Sequence, residues 1–535
     1  MKLFSGLIIS LLIFSHSVLS QSNDQTQVYE VGQPYPVIDA RDKSYFSEDD
    51  ELMTVKITGK TVYIQKFNLN TLSYIGEQSY EDFPEKFEPE LIEQIKGKYY
   101  YFYSWTDLKA KHEKLYVREI DFKRGQFVGD ALLLLDIDKK ILGSKLWKTE
   151  DYVKFHFNFS FSRSRIAIRY YRKPEIKDDS KSFNIMTVCL FDSALKELSV
   201  QDITMPFTEK KMDNLDAGID NDGNLFILAR VFNDDTRNKA TSKKDDKPNY
   251  HLETMKVAAG TNTIVQREIE MDGKYLTQVK IYGNDDKMYC AGYYSKHYYS
   301  NAADGVFTMQ LSREGVLESK NFYEIPTEIL NMYASKKEVK HNEKEDQDND
   351  ADFDALKLDT WFMAENGSIV LVGEQIWVET RRSSSAKTVT YIYHYDDILV
   401  TKIAPDGKLA WMRKLPKRQM AGLGAPGMSF YYHFNEKIGS HYMIYIDNEK
   451  NKTLSIDEKP APFVGGWGGG YLASYSVNDN SGLVSKSYFF DMKNVNGMPV
   501  SQLYVNRIVG TDDGNYIVEV YKKDKQDILI RLFAK

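Results

Sequence analysis

The sequence predicts an all-β fold in which about eight small antiparallel sheets, alternatively seven, are arranged around a common axis. Three observations predict it. Strand-like apolar runs begin at 52, 99, 166, 225, 288, 369, 442 and 516, most of them with a second such run closely following. No helical periodicity of any length separates these units, the pattern of a radial repeat. The chain is also rich in tyrosine (37) and phenylalanine (28), residues that suit a pleated, half-buried surface. One such sheet cannot bury both of its faces, so neighbours must stack. A row of independent sandwiches would need Pro/Gly/Ser-rich linkers about every 100 residues, and none is evident.

The clearest unit runs from 359 to 416. After the Asn366-Gly367-Ser368 turn come Ile369-Val370-Leu371-Val372-Gly373, then Asp397 to Ile403, a Pro405-Asp406-Gly407 turn, and Leu409 to Leu415. The other units are looser: Leu52–Ile57 with Val62–Phe67, Tyr99–Tyr103 with Leu115–Ile120, and Ile166–Tyr171 with Ile185–Leu190. Next come Leu225–Ala229 with His251–Val257, Met288–Gly292 with Val306–Leu311, and Tyr442–Ile446 with Tyr471–Tyr475. The last, Tyr516–Val520 with Ile528–Phe533, ends one strand short. A strand at Gln27–Val31 would complete it, closing the ring through both ends of the chain and hiding a sheet edge.

This pattern resembles β-propeller proteins as a class. Residues 359–416 in particular look like repeats of uncharacterised exported bacterial propellers. The resemblance implies a fold and an exported location, and no reaction.

Met1-Lys2 followed by the short apolar run Leu3 to Phe14, with small residues before Gln21, reads as a secretory signal over 1–20. The run falls short of the roughly 20 residues that a span needs. Residues 21–535 are then the propeller domain, secreted or periplasmic, with charged insertions near 234–247 and 336–354. No later stretch is apolar enough to cross a bilayer. A net charge of -7 of mixed pattern speaks against nucleic acid. Cys189 and Cys290 lie two repeats apart in strand-like runs, which favours two buried thiols over a disulfide.

No catalytic pattern emerges. There is no Gly-x-Ser-x-Gly elbow, phosphate loop or His-x-x-x-His pair, and no cofactor is implied. Trp411 reads as a packing residue. The acidic alternation from Asp346 to Asp354 lacks the Gly and Glu of a calcium loop, so no metal site is assigned. His433 and His441 could face each other across a Gly439 turn, and read better as two satisfied surface imidazoles.

The most unusual segment is Pro460-Ala461-Pro462-Phe463-Val464-Gly465-Gly466-Trp467-Gly468-Gly469-Gly470. A second loop, Gly422 to Gly427, precedes Tyr431 and Tyr432. Trp467, Phe463, Tyr431 and Tyr432 are therefore the candidate ligand-binding residues, with stacking on a sugar ring or a peptide as their chemistry. The favoured function is a binding scaffold for a protein or glycan partner. The alternative is a glycan-active hydrolase or lyase with carboxylates at the central channel, where Asp304, Asp359 and Asp397 could converge.

Overall fold

The computed structural model describes residues 29–138, 141–143, 153–239, 248–285, 287–297, 302–347, 351–382, 388–425, 427–465 and 469–534. Eight antiparallel sheets form the blades of a β-propeller. Blades one to seven occupy residues 42–80, 88–137, 156–208, 212–269, 275–324, 356–415 and 431–491. Blade eight takes three strands from 502–532 and its outermost strand, Tyr29–Val31, from the other end of the chain. Tyr29 pairs with Leu532 and Val31 with Ile530, so the ring is closed by the strand that completes the last unit.

All eight apolar runs read from the sequence are second strands. They are the most buried because each has a strand on both sides and a blade against both faces. Glu51–Thr58 and Tyr516–Lys523 are examples, with Leu52, Met53, Val55, Tyr516, Ile517 and Val518 at most 1% exposed. Blades are bonded by the side chains between them. Tyr442, Ile444 and Leu472 of blade seven meet Leu503, Tyr516 and Val518 of blade eight in one such layer. Trp411 is buried as expected. Its indole N–H donates to the Asp479 carbonyl at 3.0 Å, and Gly482 of blade seven fits under its ring. Cys189 and Cys290 are buried free thiols, and burial raises the pKa of both.

Strand alternation sorts the connections onto two rims. On one rim lie the first-to-second and third-to-fourth turns, all short, 258–263 being the longest. Neighbouring turns there are tied together: Asn221 donates to Asp285 at 2.6 Å, Asn435 to the Gly514 carbonyl at 2.7 Å, and the Asp49 N–H to Asp512 at 2.7 Å. Among the described residues the longer connections belong to the opposite rim, including 233–239, 325–347, 416–425 and 448–465. The charged stretch at 336–354 is largely helical there: α1 (Thr327–Asn331) leads to α2 (Lys336–Gln347), and the latter buries no residue. Tyr333 donates its N–H to the Ile456 carbonyl at 2.6 Å, and Lys459 pairs with Glu338. Insertions from different blades thus support one another.

The closure holds a buried charge cluster. Lys56, Glu519 and Asp527 have no exposed surface. Glu519 accepts from Lys56 at 2.5 Å, Tyr35 at 2.6 Å, Tyr45 at 2.7 Å and Lys43 at 3.1 Å. Asp527 lies 3.3 Å from Lys43 and 3.8 Å from Lys56. Lys43, Tyr35 and Tyr45 come from the start of the chain and the two acids from its end, so the closing strand is backed by ion pairs across 463 or more residues of sequence.

Candidate channel site

The first strands of the blades line the central channel, where their contacts run from blade to blade. Among the described residues five of these strands, in blades two, four, five, six and eight, carry a bulge or register irregularity, and three of these shifts lie at or beside an acid. In blade two, Pro89 and Leu91 pair with consecutive residues, leaving Glu90 over; in blade six, Leu358 and Thr360 do the same around Asp359. In blade four the extra residue is Leu215, beside Asp216. A bulge re-aims side chains that regular pleating would alternate between the two faces. Burial pushes Glu90 up to about 7, against the pull of Ser104 and Lys154. Asp359 keeps exposed surface toward the channel, yet partial desolvation of its carboxyl and then the nearby Glu374 push it up to about 6. Asp216 is raised by burial although it accepts the Ile281 N–H at 2.8 Å.

A cavity of about 460 Å³ opens on the channel side of blades two to five. His156, Asn158 and Arg169 of blade three, Asp216 of blade four and Lys280 of blade five supply its polar wall. Phe155, Phe157 and Phe159 supply an aromatic one. Arg169 sits on a second strand, opposite His156, and is 5% exposed. Its Nε donates to Asn158 at 2.6 Å, and Asn158 in turn donates to the Ala217 carbonyl at 2.8 Å. That bridge fixes the guanidinium to the seam between blades three and four. Burial, then the charge of Arg169, lowers the His156 pKa to about 4, so the imidazole is neutral at pH 7. The cavity therefore presents one rigid guanidinium, one exposed ammonium, one neutral imidazole and one carboxyl whose ionisation burial disfavours. This set favours an anionic group, which Arg169 and Lys280 would meet together.

None of the residues singled out in the sequence lines this cavity. Trp467 lies outside the described residues. Phe463 is 7% exposed and packs into the core layer with Ile446 and Leu472. The Tyr431 hydroxyl accepts the Gly510 N–H at 3.1 Å, and the Tyr432 hydroxyl bonds His441 at 2.9 Å. His433 and His441 do not face each other: they oppose Tyr442 and Phe434, which puts them on opposite faces of the sheet. His441 is fully buried rather than superficial, held between Tyr432 and Asp479. Two of the three aspartates have partners away from one another. Asp397 pairs with Lys414 at 3.1 Å, Asp304 accepts the Lys296 N–H at 2.7 Å, and Asp359 alone is on a channel strand. No group of metal-ligating side chains occurs among the described residues.

No family model and no curated protein matches the chain. Among solved structures it is similar to a prolyl endopeptidase, at 9% identity and a TM-score of 0.36, over 93% of this chain and 55% of that one. The chain thus spans little more than half the length of that protein. It is also similar to an endo-arabinase from Bacteroides thetaiotaomicron, at 12% identity and a TM-score of 0.21, over 56% of this chain and 98% of the other. An apocarotenoid oxygenase from Synechocystis gives 9% identity and a TM-score of 0.30, over 70% of this chain and 71% of that one. Likeness at this level concerns the fold alone.

Proposed function

We propose that the protein is an exported binding module whose channel cavity holds the anionic group of a small ligand, its ring or chain lying against Phe157 and Phe159. The observation that carries this reading is Arg169, a buried guanidinium clamped by Asn158 on the wall of an aromatic-lined cavity. The test is a titration with galacturonate and galactose, followed by ligand NMR. Galacturonate is expected to bind and galactose not, and Arg169→Met should weaken binding by about 1.5–3 kcal/mol, the usual worth of a hydrogen bond to a charged group. Equal binding by the Met variant would remove the cavity from consideration.

A second reading, glycan hydrolysis or elimination, is favoured by Asp359, a carboxyl set on a bulge of a channel strand, whose surroundings push its pKa up to about 6. Release of product from a glycan substrate in the same measurements, lost in Asp359→Asn, would shift the assignment to catalysis. Export rests on the basic start and short apolar run of residues 1–20. Mass spectrometry of protein secreted by a bacterial host is expected to find Gln21 at the amino terminus, and an intact Met1 would refute it.

A further inference from the structure

Blade six is taller than the others. Its strands Ile369–Arg382 and Val389–Ile403 run past the toroid on the rim of the insertions, where Gln419–Ala421 and Phe463–Val464 join them to form an upper sheet. The register sets four residues in one row across it. Trp377 opposes His394, His394 opposes Met420, and Met420 opposes Val464. Directly opposed residues share a face. The reverse face holds Gln419 and Phe463, turned toward blade seven, with the Gln419 amide donating to the Ile446 carbonyl at 2.8 Å. The row is thus on the solvent side, and Trp377 and Val464 at its ends are 38% and 44% exposed. Three interstrand spacings make it about 14 Å long.

Trp377 is held in place. Its ring lies on His394 with centroids 3.7 Å apart and planes 7° from parallel, and His394 is buried beneath it. The indole N–H donates to Asp396 at 3.0 Å. Two residues along the same face, Glu379 takes a bidentate pair of bonds from Arg381, at 2.7 and 3.0 Å. One indole face is therefore covered by an imidazole and fixed, while the indole keeps exposed surface beside a carboxylate and a guanidinium locked to each other.

We propose that this row is a binding platform for a chain of neutral pyranose sugars. A pyranose offers an apolar C–H face that lies flat on an aromatic ring, and a rim of hydroxyls that both donate and accept. Trp377 supplies the flat surface, and Glu379 and Arg381 supply an acceptor and a donor at its edge. The pair is neutral as a unit, so a charged ligand gains nothing from it that it does not also lose. Met420 and Val464 extend the apolar strip beyond a single ring. The platform stands on blade six and its insertions, apart from the cavity of blades two to five, and does not depend on what that cavity holds.

The test uses the whole chain, labelled with nitrogen-15, and the indole N–H resonance that disappears in Trp377→Phe. Cellohexaose, laminarihexaose and mannohexaose are titrated in turn, with hexagalacturonate as the charged comparison. At least one neutral hexasaccharide is expected to shift the Trp377 resonance. Its affinity should fall about tenfold in Trp377→Ala, the scale of a lost aromatic contact together with the area it covered. Trp377→Phe and Arg169→Met should both keep binding, and Arg381→Ala should weaken it with the melting temperature unchanged. No shift with any neutral hexasaccharide, binding of hexagalacturonate alone, or undiminished affinity in Trp377→Ala would each overturn the proposal.

Discussion

Replacing Glu519 with alanine is expected to destabilise the protein by about 3–5 kcal/mol, the cost of removing one partner from a buried ion pair. The loss is a large fraction of the 5–15 kcal/mol typical of a folded domain. The reason lies in what remains. Lys56, with no exposed surface, keeps Asp527 at 3.8 Å as its one ion-pair partner among the described residues, and the hydroxyls of Tyr35 and Tyr45 lose their acceptor. All of these groups lie at the seam where the first and last segments of the chain meet. Glu519→Gln retains an acceptor but not the charge, and should fall between wild type and Glu519→Ala. Urea midpoints and slopes measure both. Lys408→Ala, which removes only a surface pair with Asp406, should leave the midpoint where it was. A Glu519→Ala midpoint equal to wild type would mean that the cluster contributes nothing to closure.

Acidification should first strengthen the fold and then weaken it. Burial and the neighbouring Glu519 push Asp527 up to about 6, above its unfolded value of about 3.9. A carboxyl raised on folding binds its proton more tightly in the folded state. Stability therefore rises as the pH falls from about 6 toward 4, by the order of 1–3 kcal/mol from this group. Glu519 behaves in the opposite sense. Its pKa is depressed by Lys56 and Lys43 against the cost of burial, so its stabilisation is present above about 4.3 and is lost below it. Together they place the stability maximum on the acid side of neutrality, and thermal melts at half-unit pH steps would locate it. Asp527→Asn should flatten the rise between pH 7 and 5, and an unaltered slope would show that Asp527 does not titrate there.

The architecture was legible because the second strands carry it. They are sandwiched on four sides, so their sequences are almost purely apolar and stand out, as in Leu225–Ala229 or Tyr442–Ile446. First strands face a channel on one side and are half-polar. Asp42–Glu48 has no fully buried residue, and no apolar pattern marks it. The bulges at Glu90 and Asp359 add a residue to such strands, which removes even the alternation. The cavity was missed for the same reason, since His156 and Asn158 belong to a four-residue first strand.

One signal of these sites does stand in the sequence. Arg169, Glu374 and Glu519 each follow directly on an apolar run within a second strand, and Lys56 lies in such a strand of blade one. A charge in that position cannot reach solvent and must be partnered inside, so it marks either a lock or a site. The glycine-rich segment drew attention to Phe463, but glycines also allow a ring to be packed tightly: a Cβ on Gly470 would sit 2.8 Å from it. The upper sheet of blade six was hidden because Arg381, Arg382 and the serines after them look like a loop, when hydrogen bonding continues to the Arg382–Val389 pair.

The way the two ends meet also sets how the ring would respond to force. Tyr29 lies opposite Leu532, so both chain ends leave the last sheet at the same corner. A pull applied to the two ends loads the ladder one pair at a time, beginning at Tyr29–Leu532, instead of shearing all its bonds together. The molecule would peel open at low tension along that one seam, however well its other blades withstand heat or denaturant.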